Sequence, residues 1–368
     1  MQYVETPREI EQLWEQACKI DPTLKIMPPQ SSTLYRRRLR STSFSRDSLF
    51  GAMARGEPIL FGNFSIPVRG ELELGVRDAV LEAIRTGLPS DDHIRVRCGP
   101  SGTEKYFLPD DLIRRWRNSR ARVSVTDLHI RDTHVDRLID CSRLCDFNLL
   151  AEVSGEVGDE EMLTMVMSSA GTFTDSHSDD PDGSNHCFAG RKLWLVWDTF
   201  VGLSKGLEDV ERVDVFRSQA EFNISAFLSV PGSLWFTVEI GQTLFLPGHL
   251  THKVITLEDY LGVGSFFVML PSYLRTLLRW TEHTPLWALK APVEQRLELV
   301  DKITQHVTQK VDFLATASEQ ARSQWGLKYC YSTLDGLQAT SQHAMSLLVY
   351  NPVSARLVDV IRNARTAP

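Results

Sequence analysis

The chain has 368 residues, 42% of them apolar and 24% charged, with 40 basic against 47 acidic side chains and a formal net charge of −7. At about 150 residues per domain this length allows two or three domains, or one enlarged by insertions, and it can bury a large core without disulfide staples. The composition excludes collagen, coiled coil and wholesale disorder, and the acidic balance argues against a protein held on nucleic acid by bulk charge.

Residues 1–120 mix helix with short strands. The start, Met1 to Glu5, lacks a basic stretch leading into an apolar one. Ile10, Leu13, Trp14 and Ala17 follow at i, i+3, i+4 and i+7 and predict a helix that stops before Pro22. Tyr35-Arg36-Arg37-Arg38-Leu39-Arg40 reads first as a solvated loop or helix face, and otherwise as a nuclear signal or a contact for an acidic partner. Pro58 to Phe61 reads as a buried strand, and Val76, Val80, Ala83 and Ile84 line a helix. The arginines at 114, 115, 117, 120 and 122 read as a solvated helix face.

Residues 121–270 change character. Short segments rich in Val, Phe, Trp and Leu recur between turn residues: 163–168, 193–197, 234–238, 243–246, 254–257 and 263–269. Strands at that spacing predict an all-β barrel or sandwich. The greasiest run, Leu261 to Leu270, falls short of the roughly 20 residues that span a membrane, so none is expected. Residues 271–368 turn helical, with Leu274, Leu277 and Leu278, then Leu297, Val300 and Ile303, at helical spacing. The expected fold is a mainly β core with helical additions at both ends. The six cysteines form no CxxC pair, and Cys141 and Cys145 lack two further ligands at zinc spacing. They read as idle thiols of an intracellular protein, cytoplasmic or nuclear.

The chemistry-bearing residues lie in the β zone. His177 and Asp179 stand one residue apart in Thr174-Asp175-Ser176-His177-Ser178-Asp179, and 75 positions later His252 closes Pro247-Gly248-His249-Leu250-Thr251-His252. Two imidazoles and a carboxylate on a β scaffold form the facial triad of non-haem Fe(II) oxygenases. Lys192 opens an apolar strand, Leu193 to Trp197. It is either a strand-end lysine snorkelling to water or the partner of a ligand carboxylate. Thr174 could add a hydroxyl to that carboxylate. Strict alternation puts positions 174 and 177 on opposite faces, so both can serve one site only if the strand bulges between them.

The run from Met167 to Trp197, MSSAGTFTDSHSDDPDGSNHCFAGRKLWLVW, resembles the JmjC domain of Fe(II)/2-oxoglutarate-dependent oxygenases, nearest to the F-box- and PHD-linked lysine demethylases. Gly241 to Pro247, with His252 five positions after the proline, is similar to that family's final metal-ligand strand, and Arg122 to Leu138 more loosely to its early strand and helix. The resemblance covers roughly residues 120–275. It implies a double-stranded β-helix, a cupin-like jelly roll, with His177, Asp179 and His252 as ligands of Fe(II) and Thr174 and Lys192 holding 2-oxoglutarate. It sets Asn185 where the family has a Tyr at the co-substrate, and Ser124 or Thr126 where it has an Asn. Family spacing favours His252 over His249.

The implied activity consumes O2 and 2-oxoglutarate, releases succinate and CO2, and hydroxylates a C–H bond of a small molecule or protein side chain. Hydroxylation next to nitrogen would end in demethylation, so a histone lysine demethylase is the alternative enzyme. No PHD finger or F-box accompanies the core to serve it. A catalytically silent JmjC-fold interaction protein and a Zn or Mn cupin are the other readings, and dimerisation through the C-terminal helices is an option. His186 reads as an exposed loop histidine or a contact at the mouth, Trp194 and Trp197 as core, and Asp175 and Asp180 as solvent or substrate contacts.

Overall fold

The computed structural model describes residues 6–22, 24, 36–69, 75–88, 93–99, 103–118, 121–144, 147–153, 163–207, 222–248, 250–287 and 293–366. His249, Cys145 and Arg120 lie outside them. The chain forms a large antiparallel sheet with helices before and after it.

Helix α1 (Pro7–Ile20) is the one the apolar stripe predicts. Thr6 caps it, Pro7 supplies a preset φ at its first position, and Glu9 returns a bond to the Thr6 backbone. Ile10, Leu13, Trp14 and Ala17 are its buried face. Helices α2 (Arg46–Arg55), α3 (Gly75–Gly87) and α4 (Pro109–Trp116) follow, with strands β1 (Ile59–Phe61), β2 (Ile94–Cys98) and β3 (Thr103–Phe107) between them. Strand β4 (Val123–His129) leads to a one-turn helix, α5 (His134–Leu138).

The strands that carry the site come next: β5 (Leu163–Ser168), β6 (Phe173–His177), β7 (Asp182–Asp198), β8 (Leu234–Glu239), β9 (Thr243–Leu246) and β10 (Leu250–Phe267). Two short helices, α6 (Thr199–Ser204) and α7 (Ile224–Ser229), separate β7 from β8. The sequence divides β10 into two segments, 254–257 and 263–269. In the structure they are one 18-residue strand, interrupted only by register shifts between Thr256 and Gly262. Strand β7 likewise starts eleven residues before Leu193, at Asp182. A backbone ladder tolerates Gly, Asp and Glu where its partners are fixed on both sides, so propensity undercounts long central strands.

Strands β7 and β10 pair along their whole lengths, and each changes its outer neighbour halfway. The first half of β7 pairs with β9 and the second half with β8. The first half of β10 pairs with β6 and the second half with β5. Two sets result: β9–β7–β10–β5 and β8–β7–β10–β6. Strand β1 extends the first set beyond β9, and β4, β2 and β3 extend it beyond β5. A buried group including Val166, Trp194, Phe236, Leu244 and Tyr260 packs the two sets together.

After Pro271 come α8 (Tyr273–Trp287), α9 (Val293–Thr316), α10 (Glu319–Gln324), α11 (Leu327–Thr340), α12 (Gln342–Tyr350) and α13 (Pro352–Thr366), which share their own core around Tyr273, Val311 and Leu357. Among the described residues no single helix is long and apolar enough to cross a membrane. Arg36 to Arg40 is neither a free loop nor a helix face throughout: Arg38 bridges to Trp235 on β8, and Leu39 N–H donates to the Trp235 carbonyl. In the second arginine group, Arg114 pairs with Asp111, Arg117 with Asp78, and Arg115 lies over Phe107.

Candidate metal centre and its cavity

Strand β6 resolves the alternation conflict. His177 pairs with His252 and Thr174 with Val254, so three steps on β6 face two on β10. One residue of β6 is therefore extra, a β-bulge that turns Thr174 and His177 into one cavity of about 320 Å³. Asp179 and His252 line the same cavity.

One ligand atom from each of His177, Asp179 and His252 lies within 4.8 Å of the others. The His252 Nε2 is 3.8 Å from Asp179 Oδ2, and the two imidazole rings are 4.1 Å apart at their centroids. His177 Nδ1 donates to the Asp175 carbonyl at 2.8 Å, and His252 Nδ1 to the Leu250 carbonyl at 3.3 Å. A carbonyl only accepts, so each Nδ1 carries a proton and Nε2 is the nitrogen each ring has left to offer a metal. Burial, and then the neighbouring His177, hold the His252 imidazole well below its ordinary range. It is neutral, the form a metal needs. These three side chains are placed to hold a metal ion.

The loops bearing the ligands are tied together. Gly248, in the turn before β10, packs so closely on the segment after Asp179 that a Cβ there would lie 2.6 Å from the Asp180 carbonyl oxygen. Gly248 N–H donates at 2.9 Å to Asp182, a wholly buried carboxylate that also accepts from Ser272 at the start of α8. Burial pushes the Asp182 carboxyl up to about 6, against the pull of those hydrogen bonds. From the helical side, Trp280 Nε1 donates to the Asp180 carbonyl at 3.0 Å, and Arg296 pairs with the Asp180 carboxylate at 3.3 Å. Asp180 is therefore a structural anchor. Asp175 lines the cavity and lies 3.6 Å from Lys253.

Lys192 is not at a strand end. It sits inside β7 with 4% of its surface exposed, which removes the snorkelling account. Its ammonium lies 4.6 Å from the Tyr260 ring centroid, and among the described residues no carboxylate pairs with it. Burial pushes this ammonium down to about 7. Lys192, Thr174, Asn185 and Ser124 all line the cavity. Asn185 accepts a hydrogen bond from the Tyr260 hydroxyl, and Ser124 shares one with Ser168 at 2.9 Å.

One expectation about these rings changes. Trp197 and Trp194 are both core as expected, Trp197 packed on Phe222 and Phe227, and Trp194 buried beside Phe236 while also lining the cavity and stacking on His252 at 5.2 Å and 29°. His186 is not an exposed loop residue. It is buried in β7, with Nδ1 2.7 Å from the Thr243 hydroxyl, and burial brings its imidazole down to about 4. Tyr260 and Asp182 escape sequence reasoning, since single polar residues in apolar strands carry no local signal. Lys253 had one, a second lysine in an apolar strand directly after His252. It forms a buried 2.8 Å ion pair with Asp21 at the end of α1.

No family model matches the chain, and no curated protein matches it.

Proposed function

We propose that this protein is an Fe(II)- and 2-oxoglutarate-dependent oxygenase that hydroxylates a C–H bond of a small molecule or protein side chain, releasing succinate and CO2. One observation carries the reading: a buried lysine without an anionic partner shares a cavity with two histidines and an aspartate at metal-binding distance. A buried ammonium costs several kcal/mol unless paired, and a ligand carboxylate is the group that would offset that cost.

The donor set fits the implied metal. Two imidazoles and one carboxylate are the facial set of non-haem Fe(II) sites, and Fe(II) with the keto acid would supply the activation of O2. His177, Asp179 and His252 would hold the metal. Lys192 would take the distal carboxylate of 2-oxoglutarate, with the Thr174 hydroxyl beside it on the same cavity wall. Tyr260 orients Asn185 and covers the Lys192 ammonium with its ring. Trp194 shields His252 from water. The exchange of neighbours along β7 and β10 supports a double-stranded β-helix of the JmjC and cupin type.

The complete triad favours an enzyme over a silent scaffold, and the unpaired Lys192 favours a keto-acid site over a Zn or Mn cupin. The test is turnover. Protein loaded with Fe(II) and 2-oxoglutarate without oxygen should form succinate when O2 is admitted, well above the His177→Ala variant. Equal succinate from both proteins would overturn the assignment.

A further inference from the structure

Two cations are left unused by the co-substrate, Arg97 on the cavity lining and Arg122 against Gly171 of that lining. Arg97 lines the cavity from β2. Arg122, just before β4, takes a left-handed φ of 37° and lies over Gly171, where a Cβ would sit 3.3 Å from its Nε. Gly99 N–H donates to the Arg122 carbonyl at 2.8 Å and joins the two segments, and Gly99 and Gly171 both line the cavity. Neither guanidinium has a hydrogen bond or ion pair among the described residues. Neighbouring arginines do: Arg95 pairs with Glu104, Arg117 with Asp78, and Arg191 with Glu258. Glu104 stands directly across from Arg97 on β3, yet its carboxylate goes to Arg95.

The sheet register separates this position from Lys192. Arg97, Ser124, Ser168 and Tyr260 form one cross-strand row over β2, β4, β5 and β10. Three strand spacings, about 14 Å along the sheet, lie between Arg97 and the tyrosine that carries the Lys192 ammonium. A short dicarboxylate held at Lys192 and at the triad leaves Arg97 for another anion.

We propose that the molecule oxidised at this site carries an oxyanion, a carboxylate or phosphate, which docks on Arg97 with Arg122 beside it. Guanidinium groups bind such anions bidentately, and the same pair repels a methylated ammonium. Arg97 and Arg122 thus select an anionic small molecule over a methyl-lysine side chain. The anion position stands on geometry alone, and only its role as a substrate subsite rests on the oxygenase reading.

The experiment uses Mn(II)-loaded protein saturated with 2-oxoglutarate, and inorganic phosphate and acetate as probes, followed through paramagnetic relaxation of their 31P and 13C signals. Phosphate, acetate or both should relax in the presence of wild type. At least a fivefold loss is expected for Arg97→Ala, without change in 2-oxoglutarate affinity. Response to phosphate alone identifies a phosphorylated substrate class, and response to acetate a carboxylated one. Relaxation that persists in Arg97→Ala, absence of relaxation with either probe, or a fall in 2-oxoglutarate affinity in that variant would overturn the proposal. If 2-oxoglutarate fails to bind wild type, the oxygenase reading fails, while the same probes with Mn(II) alone still decide the Arg97 site.

Discussion

At the scale of single residues, Lys192 joins stability to function most directly. Burial holds its ammonium at about 7, against the ordinary 10.5. The unfolded chain therefore binds that proton more tightly between those two values, and stability rises with pH across the window. Below it, the buried charge costs up to about 5 kcal/mol in the ligand-free protein. Lys192→Met is expected to raise the urea midpoint at pH 6, with the gain shrinking towards pH 10. A lower midpoint at pH 6 would contradict this. The residue was legible in sequence as a lysine in an apolar strand, but its depth was not, because the strand's true start at Asp182 is hidden by Gly183, Ser184 and Asn185. Arg97 was not legible at all: its lack of a partner depends on Glu104 turning to Arg95, a choice of rotamer rather than of pattern.

At the scale of elements, α1 is fastened to the back of the strand that carries His252. Alternation along β10 turns His252 into the cavity and Lys253 away from it, where Asp21, fully buried at the end of α1, meets it at 2.8 Å. Asp175 joins the same lysine from β6 at 3.6 Å. One cation thereby pins a helix and the bulged strand of His177 against the strand of His252. Removing one partner of a buried pair costs about 3–5 kcal/mol, and Asp175 keeps this case near the lower figure. Asp21→Asn should lower the urea midpoint accordingly and weaken metal binding, while Asp21→Asn with Lys253→Met should recover much of the stability. A double variant no more stable than the single would show that the pair contributes nothing. The bulge in β6 followed from sequence by contradiction, since Thr174 and His177 can face one cavity only through an extra residue. The fusion of short apolar segments into β7 and β10 did not, because their connecting residues read as turns until both neighbours are known.

At the scale of the whole molecule, the mainly β core with helices on both sides was legible from the periodicity of its segments. The contact between the helical region and the site was not. Trp280 and Arg296 of that region hold Asp180, one residue beyond Asp179 of the candidate metal site, and Ser272 holds Asp182. Those are long-range polar contacts, and no local pattern encodes them. The proposed function requires that one cavity bind a metal at His177, Asp179 and His252 and a keto acid at Lys192. Equilibrium binding of 2-oxoglutarate without oxygen, with and without Mn(II) as a redox-stable stand-in for Fe(II), tests both parts together. One saturable site is expected that requires the metal, is lost in Asp179→Ala, and is weakened at least tenfold in Lys192→Met. Absence of binding, or binding indifferent to the metal and to both substitutions, would contradict it.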